Sequence, residues 1–413
     1  MRAMSSRRAR LGVAALLPVM LVIGVRDGLG AVADTDRLVV VNGLAETLTL
    51  VDRAGDSIVK NLMTLGLAPN RIRYGGGLLL LVNSTSDDLW VIDPATFTTL
   101  RRVEFTDGEN PWDVAYVRDT LCAVSLLIAN QVALVNQSAG RILRRVPVGK
   151  SPQGLLVAGQ RLWVANTGFD FDTYLYGQGS VSVVNVQTGT VAATIPVGTN
   201  PQALAQSPDG KIHVLCTGNY VDRFGIVYVL DTATLTVVDS LLLGGSPGDL
   251  TIAPDGIGYI AAGGWADSGE VFRYSAVSRT VLNGAANPWH TARGAMAVVP
   301  RLEGGVHVLC FSGDSLVEHH RNGTVARGWQ VGDGPVHAAY ITNRMPGDLN
   351  EDKQLTVQDV VELVNCAFRG APPPPRRGAA DVNADCVYNV LDVVLLVNVV
   401  FRNGRGLYWG CKP

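Results

Sequence analysis

The chain of 413 residues carries a formal charge of only −2, and 47% of its residues are apolar. This is the composition of an ordinary globular protein, and it excludes an intrinsically disordered chain. Beyond the extreme N-terminus there is no run of basic residues. Neither a nucleic acid nor an anionic membrane surface is therefore expected as a partner.

The N-terminus has the three parts of an export signal. A basic stretch precedes an apolar run from Leu11 to Val25 and a small-x-small triplet, Ala31-Val32-Ala33. The apolar run is short for a membrane span and contains Pro18, which favours cleavage before Asp34 over a retained anchor. We expect a signal peptide over residues 1–33, a secreted or cell-surface location, and no membrane span in the mature chain.

A repeat fills the next three hundred or so residues. A Gly-x-x-Pro-like punctuation recurs seven times at intervals of 41 to 49 residues, which gives units of about 44 residues. Its prolines are Pro69, Pro111, Pro152, Pro201, Pro247, Pro288 and Pro335. Each unit holds four short runs of alternating or apolar residues separated by turn residues, and no helical pattern interrupts residues 34–342. Four strands per unit is the arrangement of a propeller blade, and seven blades close a ring.

The two ends of the repeat region complete each other. The chain enters at LVVVN, Leu38 to Asn42, which matches the second strand of a unit, so the first blade lacks its innermost strand. The final run PVHAAYIT, Pro335 to Thr342, has no blade of its own. We expect this run to supply the missing strand and so to latch the ring.

The repeat resembles the YVTN-type β-propeller repeats of secreted bacterial and archaeal surface proteins. The match lies in VPVGKSPQGLLV, IPVGTNPQALAQSPDGKIHVL and the strand ends VVNVQTGTV and VLDTATLTV, and it covers roughly residues 35 to 344. It is strongest in blades three to five, and blade six departs from it with SAVSRTVLNGAANPWHTARG. The resemblance implies an all-β seven-bladed propeller.

Three cysteines fall inside the repeat. Cys122, Cys216 and Cys310 occupy the same strand of the third, fifth and seventh units. These units are not adjacent in a ring, so the Cα atoms should lie far beyond the roughly 7 Å limit for a disulfide. We expect buried free thiols that pack as small apolar residues.

Two near copies offset by 33 positions follow Arg344: GDLNEDKQLTVQDVVELVNCAFRG and ADVNADCVYNVLDVVLLVNVVFRNG. Each spaces oxygen ligands along a loop that leads into an apolar helix, as a calcium loop does, and two calcium ions are predicted. The ligands are Asp348, Asn350, Asp352, Gln354 (main-chain carbonyl), Thr356 and Asp359 in the first copy, and Asp381, Asn383, Asp385, Val387 (main-chain carbonyl), Asn389 and Asp392 in the second. The alternative is a pair of Asx-turns that only cap the two helices.

This segment resembles the type I dockerin domain, whose calcium loops lack the entering helix of an EF-hand and close with Asp at position twelve. The resemblance spans roughly residues 347 to 404 and implies a small all-α domain that binds a cohesin-like or other surface protein. Position six holds Lys353 and Cys386 where Gly is usual, which should weaken calcium binding. Positions ten and eleven are often a Ser/Thr-type pair in members that bind cohesin. Here they are Val357-Gln358 and Val390-Leu391, so the chain departs from the cohesin-binding pattern at both loops.

The same segment contains the remaining cysteines. A Cys386–Cys411 disulfide would tie the C-terminal tail to the second loop and leave Cys366 as a buried helix thiol, and Cys366–Cys411 is the alternative. The helices VVELVNCAF and VVLLVNVVF are apolar on more than one face, so each is expected to bury against the other. The predicted domains are the propeller over residues 34–344 and the dockerin-like domain over residues 345–413.

Loops on one face of the ring are the candidate ligand surface. The loops between the second and third strands share a face with the proline loops, and three consecutive blades lengthen them at residues 167–179, 217–225 and 263–270. Aromatics beside carboxylates suit a carbohydrate or peptide ligand, and the alternative is simple packing over neighbouring blades. The candidates are Trp112, Asp170, Asp172, Tyr174, Tyr176, Tyr220, Asp222, Trp265, Asp267, Trp289 and His290.

No motif predicts catalysis. The six histidines form no cluster with ligand spacing, and the sequence has no GxSxG elbow, HExxH helix or phosphate loop. We expect a non-catalytic binding or scaffold protein that is attached or assembled through its calcium-binding module. The alternative is a hydrolase or lyase, because some seven-bladed lactonases and lyases resemble this repeat, and its candidates would be His290, Arg293 and His337.

Overall fold

The computed structural model describes residues 37–253, 255–263, 268–301, 304–341, 347–350, 354–372, 379–382, 387–402 and 407. These residues all belong to one unit, which runs from Asp34 to Pro413. Among the described residues, no helix has the length and apolar character that a membrane crossing requires.

Seven antiparallel sheets, six of four strands and one of five, form a seven-bladed β-propeller in the described part of the chain. The innermost strands of blades two to seven and then of blade one are β4 (Pro69–Gly75), β8 (Pro111–Arg118), β12 (Pro152–Ala158), β18 (Pro201–Gln206), β22 (Pro247–Ile252), β27 (Ala295–Pro300) and β31 (Pro335–Ile341). The second strands, in the same order, are β5 (Leu78–Asn83), β9 (Leu121–Leu126), β13 (Arg161–Asn166), β19 (Ile212–Cys216), β23 (Ile257–Ala262), β28 (Val306–Cys310) and β1 (Arg37–Asn42). Each innermost strand contacts the next one around the ring, so the channel is lined by one strand per blade.

The outer two strands of each blade follow in the same order. The third strands are β6 (Asp88–Ile92), β10 (Gln131–Asn136), β16 (Ser180–Asn185), β20 (Ile226–Leu230), β24 (Gly269–Ser275), β29 (Ser315–His319) and β2 (Thr47–Asp52). The fourth strands are β7 (Thr99–Glu104), β11 (Arg141–Pro147), β17 (Thr190–Pro196), β21 (Val237–Leu242), β25 (Thr280–Asn283), β30 (Val325–Gln330) and β3 (Ser57–Thr64). Three short strands lie outside this scheme: β14 (Phe169–Asp170), β15 (Leu175–Tyr176) and β26 (Trp289–Thr291).

Burial explains the sequence pattern of each strand. Second strands such as β5, LLLLVN, are buried along almost their whole length because neighbouring blades cover both faces. Fourth strands such as β3, SIVKNLMT, are mostly exposed at the rim of the ring. The hydrophobic clusters lie between adjacent blades, as in the cluster that joins Val39 and Leu48 of blade one to Leu79 and Trp90 of blade two.

The predicted latch is confirmed. Strand β31 pairs antiparallel with β1 from Arg37 opposite Ile341 to Asn42 opposite Pro335, so blade one contains both ends of the repeat region. A buried ion-pair cluster joins blade seven to blade one: Glu318 of blade seven lies 3.1 Å from Arg53 of blade one and 2.9 Å from Arg301 of its own blade.

Blade six differs from the sequence prediction. Pro288 does not begin an innermost strand, because the strand that follows it, β26, is an outermost strand of blade six. Both β25 and β26 pair with β24, along different stretches of it. The innermost strand of blade seven begins instead at Ala295, after Gly294, whose φ of 74° matches the left-handed residues Asn110 and Asn200 before the strands of other blades. The prediction was wrong because NPW is a local turn signal that does not reveal whether the next strand is outermost or innermost.

The cysteine prediction is confirmed. Cys122, Cys216 and Cys310 are free, buried and located in second strands, and burial raises the pKa of the first two to about 12 and of Cys310 to about 11. One difference from the predicted strand-only pattern is a single 3₁₀ turn at Phe311–Gly313.

Two helices follow the propeller in the chain, α1 (Val357–Phe368) and α2 (Val390–Arg402), and they pack against each other as predicted. Their shared core contains Leu349, Val360, Leu363, Ala380 and Leu396. The main-chain N–H of Gly347 donates to the carbonyl of Ala379 at 2.9 Å, so the two sequence copies are also joined where their loops begin.

Glycines in the linkers between blades allow a close approach. A Cβ built at Gly149 would lie 2.6 Å from the side chain of Asn166, which is buried and donates to Ser180 and Ser182. The same contact recurs between Gly66 and Asn83, which explains the glycine of the repeated Gly-x-x-Pro-like punctuation.

We predict that Gly149→Ala lowers the free energy of unfolding by about 1–3 kcal/mol, because the added methyl group must displace a hydrogen-bonded, buried amide. Gly55→Ala is the matched control: Gly55 is exposed, and the atom nearest to its added Cβ would be 3.6 Å away. Urea unfolding followed by circular dichroism measures both. Equal midpoints for the two variants would contradict the proposed role of the contact.

Candidate functional site

A cavity of about 400 Å³ opens on the face of the ring where the innermost strands begin. The second residue of every innermost strand lines it, so the repeat contributes one fixed position per blade. These residues are Asn70, Trp112, Gln153, Gln202, Gly248, Met296 and Val336. We call this space the mouth cavity.

The mouth cavity has two chemically different halves. Blades two to five contribute three amides and Trp112, while blades six, seven and one contribute Gly248, Met296 and Val336. Leu44 and Phe311 extend the apolar half. The predicted candidate Trp112 therefore does lie on this face, half-buried at the boundary of the cavity.

A second cavity of about 390 Å³ lies in the channel below the mouth cavity. In six of the seven blades, the third residue of the innermost strand lines it. Three of these side chains accept a hydrogen bond from a main-chain N–H of the next blade. Asp113 accepts from Leu155 at 3.1 Å, Asp249 from Val298 at 3.0 Å, and His337 Nδ1 from Ile72 at 3.4 Å. Side chains at this position thus tie adjacent innermost strands together.

Two arginines of β4 pair with the channel carboxylates. Arg71 crosses from blade two to Asp249 of blade six at 3.2 Å, and Arg73 lies 3.2 Å from Asp113 of blade three. Burial lowers the pKa of His337 well below its usual value, and the two nearby arginines add to this effect. The channel therefore holds two ion pairs and a neutral imidazole at neutral pH.

The long loop of blade four forms a hairpin of β14 and β15 on the same face. Phe169 lies at its centre, with ring centroids 4.9 Å from Tyr176 and 5.0 Å from Phe171, while Tyr174 is 75% exposed. Burial raises the pKa of Tyr176 to about 12.

Asp170 anchors this hairpin. Its carboxylate binds Lys150 in an ion pair and accepts hydrogen bonds from the N–H groups of Asp172 and Thr173. The bond to Lys150 and then these N–H groups lower the pKa of Asp170 to about 2. Asp170 is thus engaged in turn structure, and Asp172 is an exposed residue of the same turn.

The loop of blade five adjoins the hairpin. Tyr220 is 56% exposed, lies 6.2 Å from Tyr176 between ring centroids, and interacts through its hydroxyl with the Gln202 amide at 3.3 Å. Because Gln202 also lines the mouth cavity, the aromatic rim and the cavity are contiguous. Asp222 accepts a bond from Asn219 at 2.7 Å within its own loop.

Two predicted rim residues lie elsewhere. Trp289 and His290 belong to β26 on the outside of blade six, because the fourth strand continues through them. The Trp289 ring packs under Arg273 at 3.7 Å and stacks on His319, so it is part of the blade packing. His290 is exposed on that outer strand, whereas His337 is buried on an innermost strand. Trp265 and Asp267 lie outside the described residues.

The first predicted calcium loop contains two buried carboxylates: Asp348 is 6% exposed and Asp359 is fully buried. Asp359 accepts hydrogen bonds from the N–H groups of Leu349 at 2.9 Å and Thr356 at 2.8 Å. Thr356 in turn caps α1 by accepting from the Gln358 N–H, so positions nine and twelve form a capping box. Asn350 and Gln354 are described, and Asp352 lies outside the described residues.

The second loop repeats this arrangement. Asp381 and Asp392 are fully buried, Asp392 accepts from the Asn389 N–H at 2.9 Å, and Asn389 accepts from Leu391 at 2.7 Å. Val387 is described, but Asn383 and Asp385 are outside the described residues, as are both cysteines of the preferred disulfide, Cys386 and Cys411. Cys366 is a free, half-buried thiol on α1.

Sequence reasoning missed most of the mouth. Asn70, Gln153, Gln202 and Met296 were not singled out, although each follows the first residue of an innermost strand. In six blades the mouth residue directly follows the repeated proline, so the sequence repeat alone could have identified these positions as equivalent. In blade seven this rule fails, because Pro288 precedes β26 of blade six and the innermost strand begins at Ala295.

No protein-family model matches the chain, and no curated protein matches it significantly. Three solved structures are similar. Kuenenia stuttgartiensis hydrazine synthase has a TM-score of 0.56 at 14% identity, over 66% of this chain and 89% of that chain. A functionally unknown protein from Desulfotomaculum acetoxidans has a TM-score of 0.57 at 12% identity, over 73% and 99% of the two chains. A quinonprotein alcohol dehydrogenase-like protein from Bacteroides thetaiotaomicron has a TM-score of 0.55 at 12% identity, over 74% and 78%. At these identities the similarity shows the fold alone.

The channel histidine generates a pH prediction. The pKa of His337 is lowered in the folded state, and an unfolded histidine titrates near 6.5, so below that pH the unfolded chain binds more protons than the native one. Stability is therefore full above about pH 6.5 and falls as the pH drops, by at most about 1.4 kcal/mol per pH unit for this one group.

His337→Gln keeps an acceptor for the Ile72 N–H but removes the ionisation, and we expect a shallower loss of unfolding free energy between about pH 6.5 and 4.5. The control His290→Gln changes an exposed imidazole. Urea unfolding at several pH values gives both slopes, and a His337→Gln slope as steep as that of the unmodified chain would refute the assignment.

Proposed function

We propose that the protein is a secreted or cell-surface, non-catalytic binding or scaffold protein. The propeller is a platform for a ligand or another protein, and the C-terminal segment attaches or assembles it in a calcium-dependent way. We further propose that the blades are YVTN-type repeats and that the C-terminal segment is a dockerin-like domain.

One observation supports binding over catalysis. The mouth cavity combines an aromatic side chain, amides and an apolar wall, while the charged groups below it are bound to each other and to the backbone of neighbouring blades. A binding site needs such a preformed concave surface with few polar groups. A general acid or base must instead be available to a substrate.

A hydrolase or lyase is the second candidate, and one observation favours it. Arg71, Arg73, Asp113, Asp249 and His337 converge in the channel within hydrogen-bonding distance of each other or of the backbone, and convergent polar groups at this place are what an enzyme would need. His290 and Arg293 do not join this set, because His290 lies on the outer strand β26 and Arg293 is not among the residues of either cavity.

The enzyme candidate is tested by screening the full mature chain for hydrolysis of lactones and for elimination from acidic polysaccharides. We expect no turnover above that of Asp249→Asn. Turnover that this substitution abolishes, with the fold intact by circular dichroism, would replace the binding proposal by the catalytic one.

Calcium fits the donor set of the C-terminal loops. Asp348 and Asp381, at position one, are buried although neither lies at a helix start, so helix capping does not account for them. Calcium takes six to eight oxygen ligands, and positions one and twelve of each loop place two buried carboxylates in a spacing that suits such an ion. Asp348, Asn350, Gln354, Thr356 and Asp359 would hold the first ion together with Asp352. Asp381, Val387, Asn389 and Asp392 would hold the second together with Asn383 and Asp385.

The outward faces of the two helices support a role in attachment. Val361 and Phe368 on α1 are 52% and 58% exposed, and Val394 and Phe401 on α2 are 49% and 60% exposed. Exposed apolar residues on a small domain favour contact with another protein, here a cohesin-like or other surface protein.

Calorimetry of the chelator-treated full chain with calcium tests the proposal. We expect two bound ions, and about one each for Asp348→Asn and Asp381→Asn, because each change removes a charged ligand outside the capping boxes. The control Glu362→Gln alters a carboxylate of α1 that is no predicted ligand. If the chain took up no calcium, or if both aspartate variants still bound two ions, the calcium-dependent module would have to be abandoned.

A further inference from the structure

We propose that the mouth cavity binds a neutral saccharide, with Trp112 as the stacking surface and the Gln153 amide as a hydrogen-bonding group. This inference rests on the proposed function, since it names the ligand class of the same platform. A cavity of about 400 Å³ is within the range of small-molecule sites and can receive a short sugar segment.

Charge argues for a neutral ligand. Among the residues that line the mouth cavity, Arg71 is the charged one, and its guanidinium is already paired with Asp249 at 3.2 Å. An acidic sugar, a phosphate or a charged peptide would therefore have to break this pair to find a counter-charge. A neutral ligand has no such cost.

The two halves of the cavity match the two surfaces of a pyranose ring. Sugar hydroxyls need both donors and acceptors. The amides of Asn70 and Gln153 offer both, and Gln202, whose NH2 group already donates to Asn200 and Tyr220, offers its carbonyl oxygen. The C–H faces of the ring need apolar contacts, which Trp112 and the wall with Met296 provide. This alternation of amide and apolar groups favours a saccharide over a purely apolar ligand.

Part of the polar half is held in place before any ligand arrives. Asn70 donates to the Ser84 hydroxyl at 3.3 Å, and Gln202 donates to Asn200 at 3.2 Å. Fixed side chains lose little entropy on binding. Asn110 also lines the cavity, and its buried Oδ1 has no hydrogen-bond partner among the described residues.

The rim extends the site beyond a single sugar. The Gln202 amide joins the cavity to Tyr220, whose ring neighbours Tyr176 and the exposed Tyr174 of the hairpin. Both Tyr174 and Tyr220 have left-handed backbone, with φ of 58° and 64°, and loops held by Asx turns present their rings. An oligosaccharide that enters the mouth can therefore continue over blades four and five.

The test titrates the full mature chain with short neutral oligosaccharides of glucose, mannose and xylose, and in parallel with oligogalacturonates and a mixture of charged and neutral peptides. Calorimetry and tryptophan fluorescence report binding. We expect a neutral oligosaccharide to bind, Trp112→Ala to weaken it by about tenfold or more, and Gln153→Ala to weaken it several-fold. Trp112→Phe keeps an aromatic face and should lose less.

Gln187→Ala is the matched control for Gln153→Ala, because Gln187 is an exposed turn residue of the same blade. Binding of a neutral sugar that Trp112→Ala and Gln153→Ala leave unchanged would overturn the proposal, as would preference for the acidic sugars or the peptides, or no binding of any neutral sugar. Thermal unfolding of each variant separates lost binding from lost fold.

The calcium stoichiometry and the turnover assay, run on the same variants, separate this inference from the proposed function. Failure of sugar binding with intact calcium uptake and no turnover leaves the platform without this ligand class. Sugar binding accompanied by turnover of the sugar would uphold the inference and sink the non-catalytic proposal.

Discussion

The pairing of β31 with β1 is the constraint on which the rest of the structure depends. Without it, blade one would have three strands, the ring would end in two unpaired edges, and the channel would be open on one side. A buried ion pair between Glu318 of blade seven and Arg53 of blade one also joins the last blade of the chain to the first. Removing one partner of such a buried ion pair is strongly destabilising because it leaves an uncompensated charge.

Closure gives successive residues of each innermost strand different tasks. The third position faces the channel, where Asp113, Asp249 and His337 bind the backbone of the next blade. The second position faces the mouth, and its described side chains are not used to bind the backbone of the next innermost strand. The frame and the binding surface are thus built from neighbouring residues that do not compete for the same hydrogen bonds.

The sequence was informative wherever the determining signal is local. Turn residues and alternating strands repeat at near-constant intervals, so the seven blades, the closing strand and the buried thiols could be predicted. Blade six could not, because Pro288 imitates the local turn signal although Ala295 opens the next innermost strand.

The ion pairs inside the channel could not be predicted either. Arg71 and Asp249 are 178 residues apart in the chain and meet across the ring, and nothing local to either residue indicates its partner. The capping boxes of Thr356 and Asn389 belong to the opposite case, since a helix start is a short-range pattern.

The single mouth position per blade has an evolutionary consequence. Asn70, Trp112, Gln153 and their equivalents lie on strands whose alignment is fixed by other residues. Substitutions at these positions can therefore accumulate independently of each other while the fold is kept. Paralogues of such a protein could therefore change their ligand specificity one blade at a time while the strands and their pairing stay the same.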